Sequence, residues 1–134
     1  MKHDDWVDRL FAAIEQVSNE TFAYGKNDCC LFSARVVDAM TGSNYAKRLA
    51  EMYHDERSAL AYINSHGSIQ EAVKDWLGEP CISLAYTQRG DVVLFNNEGR
   101  ETLGICVGDR IVTVGETGIA HVPIAQAICS WKVN

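Results

Sequence analysis

Trp6, Leu10, Ile14 and Val17 recur at helical spacing and Phe11 widens the stripe, which predicts an amphipathic helix from residue 4 to about 18. Asn19-Glu20-Thr21 ends it, and Tyr24-Gly25-Lys26-Asn27 reads as a turn. A second helix is predicted from Asp28 to about Met40; its polar positions are few (Ser33, Arg35, Asp38), so it should be the most buried helix of the fold. Shorter helices are expected near 44–52 and from about 55 to 65. Ser68-Ile69-Gln70-Glu71 has the form of a capping box, and Ile69, Ala72, Val73, Trp76 and Leu77 then share one helix face before Gly78.

After Pro80 the period changes from helix to strand. Asp91 to Phe95 is a strand expected to turn at Asn96-Asn97-Glu98-Gly99, and Leu103 to Val107 is the next. Gly108-Asp109 occupies the place of a tight hairpin turn before Arg110 to Val114. Further short strands are expected over about 118–123 and 126–133. Helices first and hairpin-linked strands afterwards imply an α+β fold, with N-terminal helices packed on a C-terminal antiparallel sheet. The length of 134 residues suits one domain, 1–134, with one core.

The formal charge of −6 argues against a nucleic-acid partner, which needs a basic patch to release counterions. The first residues lack the apolar core of a signal peptide, and no apolar run approaches the roughly 20 residues of a membrane span. No membrane insertion is expected, and the chain reads as cytosolic where it is made. Five cysteines (29, 30, 81, 106 and 129) form no CxxC pair, so neither a disulfide framework nor a zinc site is indicated, and no metal or cofactor is expected. Cys81, Cys106 and Cys129 read as small buried hydrophobes. Asp91 is expected to cap a turn or pair with Arg89, and His3 to lie in a frayed end. Trp6, Trp76 and Trp131 read as core anchors.

The segment Phe22 to Phe32 carries the most chemistry. A turn delivers Asp28 as a cap, and Cys29 follows in the first helical turn. There, free backbone N–H groups and the positive end of the helix dipole favour a thiolate, the nucleophilic form of cysteine. The same placement would also suit a structural cysteine that begins a core helix.

Asp28-Cys29 after an aromatic-glycine turn resembles the D-C-S-G block of NlpC-like cell-wall peptidases, whose cysteine is the nucleophile. Arg89 to Phe95 resembles their second block, and Thr102-Leu103-Gly104-Ile105-Cys106-Val107-Gly108 their third, H-V-G-I-Y-L-G. A closer similarity is to small phage and prophage tail-assembly proteins of that superfamily, through Trp6 to Leu10, Phe22 to Cys29, Arg89 to Val93, Leu103 to Gly108 and Trp131. The resemblance implies a papain-like, NlpC-type fold and a place among phage tail-tip proteins, with peptidoglycan peptides as the substrate class. It implies residence in the host cytoplasm on synthesis and in the virion tail after assembly. Cys29 would be the nucleophile, with Asp28 capping the helix and holding the loop; Tyr24, Gly25 and Thr102 would contact substrate.

Thr102 stands where those enzymes carry the histidine base, and Cys30-Leu31 replaces their Ser-Gly. A threonine hydroxyl cannot take the thiol proton near neutral pH. His121 is the substitute base the sequence offers, whereas His54 and His66 read as solvated. Two functions follow from this pattern. One is a cysteine hydrolase using Cys29 and His121; the other is a non-catalytic interaction module of the tail tip on the same fold.

Overall fold

The computed structural model describes residues 1–134. Its helices are α1 (Trp6–Gln16), α2 (Cys29–Thr41), α3 (Tyr45–Met52), α4 (Glu56–His66) and α5 (Ile69–Leu77). Five strands follow: β1 (Val92–Asn97), β2 (Arg100–Cys106), β3 (Arg110–Gly115), β4 (Gly118–Pro123) and β5 (Ala127–Trp131). They form one antiparallel sheet in the order β4-β3-β2-β1-β5. The α+β class and the helix-then-strand order expected from the sequence are both present. No helix is long and apolar enough to cross a membrane.

Helix α2 is the centre of the fold, with eight residues buried between Cys30 and Met40. It packs against α1 and α3 on one side and β2 on the other. Asp28 caps its start by accepting the Leu31 N–H at 2.9 Å, and Gly42 ends it in the left-handed conformation. At α5 only half of the expected capping box forms. Ser68 accepts the Glu71 N–H, but the Glu71 carboxylate turns to Lys74. A reciprocal box occurs instead at α4, between Asp55 and Ser58.

The β1–β2 turn is tighter than expected. Asn96 and Asn97 stay in the strand, paired with Glu101 and Arg100, so only Glu98 and Gly99 turn the chain. Both have positive φ (54° and 87°), the backbone that matches strand twist in a two-residue hairpin.

The main core lies between the helices and one sheet face, where Val92, Leu94, Leu103, Ile105, Val112 and Trp131 meet α2. The other face has a small core of its own, Val93, Phe95, Cys106 and Ile111, closed over by Val122, Ile124 and Ala127. Topology explains this second core. β4 and β5 are opposite edges, yet only residues 124–126 join them. Four residue steps reach at most about 14 Å, whereas the edges of a flat five-stranded sheet lie about 19 Å apart. The sheet must therefore curl until its edges approach, and its concave side encloses the second core.

Several side chains differ from their expected roles. Asp91 is buried and caps the turn before β1, as one of its two expected roles, by accepting the Gln88 N–H (2.8 Å); it pairs not with Arg89 but with the Val133 N–H (3.3 Å) and Lys132 Nζ (3.0 Å). It thus ties the C-terminal segment to the start of β1. His3 is not frayed, because its N–H bonds the Met40 carbonyl at 2.8 Å. Trp131 is fully buried, while Trp6 and Trp76 are half-buried against the core. Of the three cysteines read as buried, Cys106 is so, and Cys81 and Cys129 are half-buried.

Replacing Asp91 by Ala should cost about 2–3 kcal/mol in urea unfolding, since it strands two backbone donors and an ammonium. A loss under about 1 kcal/mol would mean that water takes over these partners without penalty.

Candidate functional site

The loop before α2 is held by its own backbone. Ala23 and Asn27 exchange two backbone hydrogen bonds, and the Asn27 side-chain amide donates to the Glu20 and Thr21 carbonyls. Gly25 has φ +80°, and a Cβ there would lie 2.3 Å from the His54 carbonyl oxygen. The glycine is required because the loop presses onto the backbone at the end of α3. The cleft described below is lined by its neighbour Tyr24 and not by Gly25 itself.

Asp28 is only 4% exposed and accepts three hydrogen bonds. Its donors are the Gly25 N–H (3.0 Å), the Leu31 N–H (2.9 Å) and the Tyr53 hydroxyl (2.8 Å). A buried carboxylate needs such donors to offset its lost hydration. Burial and the neighbouring Cys30 and Asp28 push the Tyr53 phenol far up, so it stays a donor. Asp28 is thereby confirmed as cap and loop anchor. Tyr53 was not visible from the sequence, because it lies 25 positions away in an irregular stretch.

Cys29 follows Asp28 and opens into a cleft of about 540 Å³ whose walls include Phe22, Tyr24, Tyr53, Tyr62 and Thr102. The thiol is half-buried and free. The adjacent Cys30 thiol lowers its pKa from the ordinary thiol value, helped by the backbone at Leu103; burial and the Asp28 charge oppose this. Cys30 is pushed well up, through its bond to Cys29 and its burial.

The Leu103 contact has a topological origin. β2 and β3 pair only at Ile105↔Val112 and Cys106↔Ile111, so the first half of β2 has no ladder partner on that edge. The Thr113 hydroxyl donates to the Leu103 carbonyl at 2.7 Å, which places that residue's N–H on the same edge, and this backbone also acts on the Cys29 thiol.

No imidazole lines this cleft. His121 lies on edge strand β4, opposite Val112, and is exposed; β3 stands between its strand and β2. The expectation that it replaces the missing base is therefore not met. His54 is exposed beside Asp55, and His66 bonds Asp75 and the Tyr62 carbonyl at the α4–α5 corner. Thr102 lines the cleft, with its hydroxyl turned back to the Arg100 carbonyl at 3.3 Å. No three His, Cys, Asp or Glu side chains converge to hold a metal ion.

The rim holds charges that sequence reasoning passed over. Arg100, beside the β1–β2 turn, donates to the Tyr24 hydroxyl at 3.0 Å and is the one cation lining the cleft. Glu101 and Glu116 also line it, and Glu101 accepts the Ile69 N–H at the start of α5. Such rim residues have no signal in a single sequence beyond their position next to hairpin turns.

A family model described as a domain of unknown function, DUF6950, matches residues 1–133 of the chain. No curated protein matches it.

Two outcomes follow from this geometry. Iodoacetamide labelling of Cys29 should titrate below the ordinary thiol value of about 8.5. A depressed pKa keeps thiolate present as pH falls past 8.5, and labelling is lost only as pH drops through the folded value. His121→Ala should leave this profile unchanged; a shift would place the imidazole at the thiol. Tyr53→Phe should cost about 1–2 kcal/mol in chemical denaturation, as it removes one donor from a buried carboxylate.

Proposed function

The chain belongs to the DUF6950 family, whose function is unknown, and we propose that it is an NlpC-like domain of a phage or prophage tail that binds peptide without hydrolysing it. The observation that carries this reading is a cleft built around Cys29 at the start of α2 with no imidazole on its walls. Papain-like hydrolysis needs a base to activate water and an acid to protonate the leaving amine. Thr102 supplies neither. What remains is a groove of aromatic and apolar walls with Arg100 and two carboxylates at its rim, suited to a peptide segment carrying both apolar and charged groups.

The similarity of the Phe22–Cys29, Arg89–Val93 and Leu103–Gly108 segments to tail-assembly proteins supports the setting. On that reading the ligand is a peptidoglycan stem peptide met at the tail tip, and the neighbours are other tail-tip proteins. The depressed Cys29 pKa favours a second reading, a hydrolase that keeps its nucleophile and takes its base from elsewhere.

One titration separates the two. Soluble muropeptides should bind with saturable NMR shifts at cleft residues, weaken about fivefold or more in Arg100→Ala as a charge-assisted contact is lost, and remain intact by mass spectrometry. Continuous cleavage abolished in Cys29→Ala would establish the hydrolase instead. Absence of any shift would remove the peptide-binding reading.

A further inference from the structure

Loss of the imidazole does not silence every reaction of a thiolate. An amide expels an amine that must be protonated as it leaves, whereas a thioester expels a thiolate that leaves as the anion. Exchange of an acyl group between two thiolates therefore needs no general acid or base. Water attack on the resulting acyl-cysteine does need a base.

The cleft meets the first condition and fails the second. Cys29 opens into it with a thiolate favoured by the Cys30 thiol and the Leu103 backbone. The Cys29 N–H belongs to the first turn of α2, where no helical carbonyl can accept it, so it is free to meet a developing oxyanion. Neither histidine nor lysine lines the walls. Both Asp28 oxygens are engaged, Glu101 is turned to the Ile69 N–H, and a rim carboxylate such as Glu116 is a weaker base for water than the imidazole this chemistry normally uses. Leu60, Ile63, Ile69 and Val114 give the cleft an apolar wall on which an acyl chain can lie.

We infer that the cleft is a capture site for acyl thioesters, in which Cys29 accepts the acyl group and holds it as a stable S-acyl adduct. The Cys29 thiolate attacks the thioester carbonyl carbon and a C–S bond forms. The tetrahedral oxyanion collapses, and the donor's C–S bond breaks with its electron pair going to the donor sulfur. That thiolate takes a proton from solvent, and no oxidant or metal is involved. This rests on the reading of the cleft as a thiol site without a base.

The test is incubation of the whole chain at pH 7 with the octanoyl thioester of N-acetylcysteamine, followed by intact mass and peptide mapping. One octanoyl group should appear on Cys29, about tenfold faster than on free N-acetylcysteine, and persist for hours; Cys29→Ser should lack it. Leu60, 41% exposed, can be changed without opening the core. Leu60→Arg should therefore slow octanoyl transfer more than acetyl transfer. Acylation spread over Cys81 and Cys129 at the rate of the free thiol would overturn the inference. So would steady release of octanoate, which would also sink the non-hydrolytic reading of the cleft. No acylation while muropeptides still bind would overturn the capture site alone and leave peptide binding standing.

Discussion

The buried carboxylate of Asp28 is the constraint on which the rest depends. Its three donors come from three places: the loop before α2 (Gly25), the first turn of α2 (Leu31) and the end of α3 (Tyr53). Unpaired, a charge at 4% exposure would cost several kcal/mol. Each donor is therefore held in place by the charge as much as it holds it. The consequence is positional. Cys29 has no freedom to move once the cap, the loop and Tyr53 are fixed around the residue before it. The same charge disfavours the Cys29 thiolate, so the site keeps an acidic thiol against its own anchor, through Cys30 and the Leu103 backbone.

The sheet supplies the other half of the site by failing to pair. A five-stranded sheet that must bring its two edges together has to twist and curl strongly. Here part of that deformation is the divergence of β3 from the first half of β2. Thr113 repairs one side of the gap by donating to the Leu103 carbonyl, and the backbone at Leu103 helps lower the Cys29 pKa. The hairpin turns at Glu98-Gly99 and around Glu116 bring Arg100 and Glu116 to the rim for the same reason, since both lie at the open end of the curled sheet.

The sequence revealed what local periodicity and local turn chemistry encode. The stripe of Trp6, Leu10 and Ile14, the cap at Asp28 and the Gly108-Asp109 turn each need only a few neighbouring residues, and each was readable. The Leu103 to Val107 strand was readable too, but its true start at Arg100 was not, because Glu98-Gly99 takes over the turn only through its positive φ pair. Long-range partners were hidden throughout. Tyr53 reaches Asp28 across 25 positions, and Lys132 and Val133 reach Asp91 across more than 40. His121 misled for a related reason: its strand was read correctly, but strand order decides reach. With β3 between β4 and β2, an imidazole on β4 is one strand too far out.

Asp28, Cys29 and Thr102 are held in the fold very unequally. Asp28 is bound into the fold by three hydrogen bonds, so its loss would unsettle α2, the loop and Tyr53 together. The Thr102 side chain makes one hydrogen bond, to the Arg100 carbonyl two residues before it, and lines the cleft wall. The presence of Asp28 therefore says little about catalysis, since stability alone accounts for it. Cys29 has no comparable set of hydrogen bonds. It is half-buried, packs against the edge of the main core, and adjoins a carboxylate that works against its ionisation. The same thiol lines a cleft without an imidazole, and the reactivity left to a thiolate without a base is transfer between sulfurs.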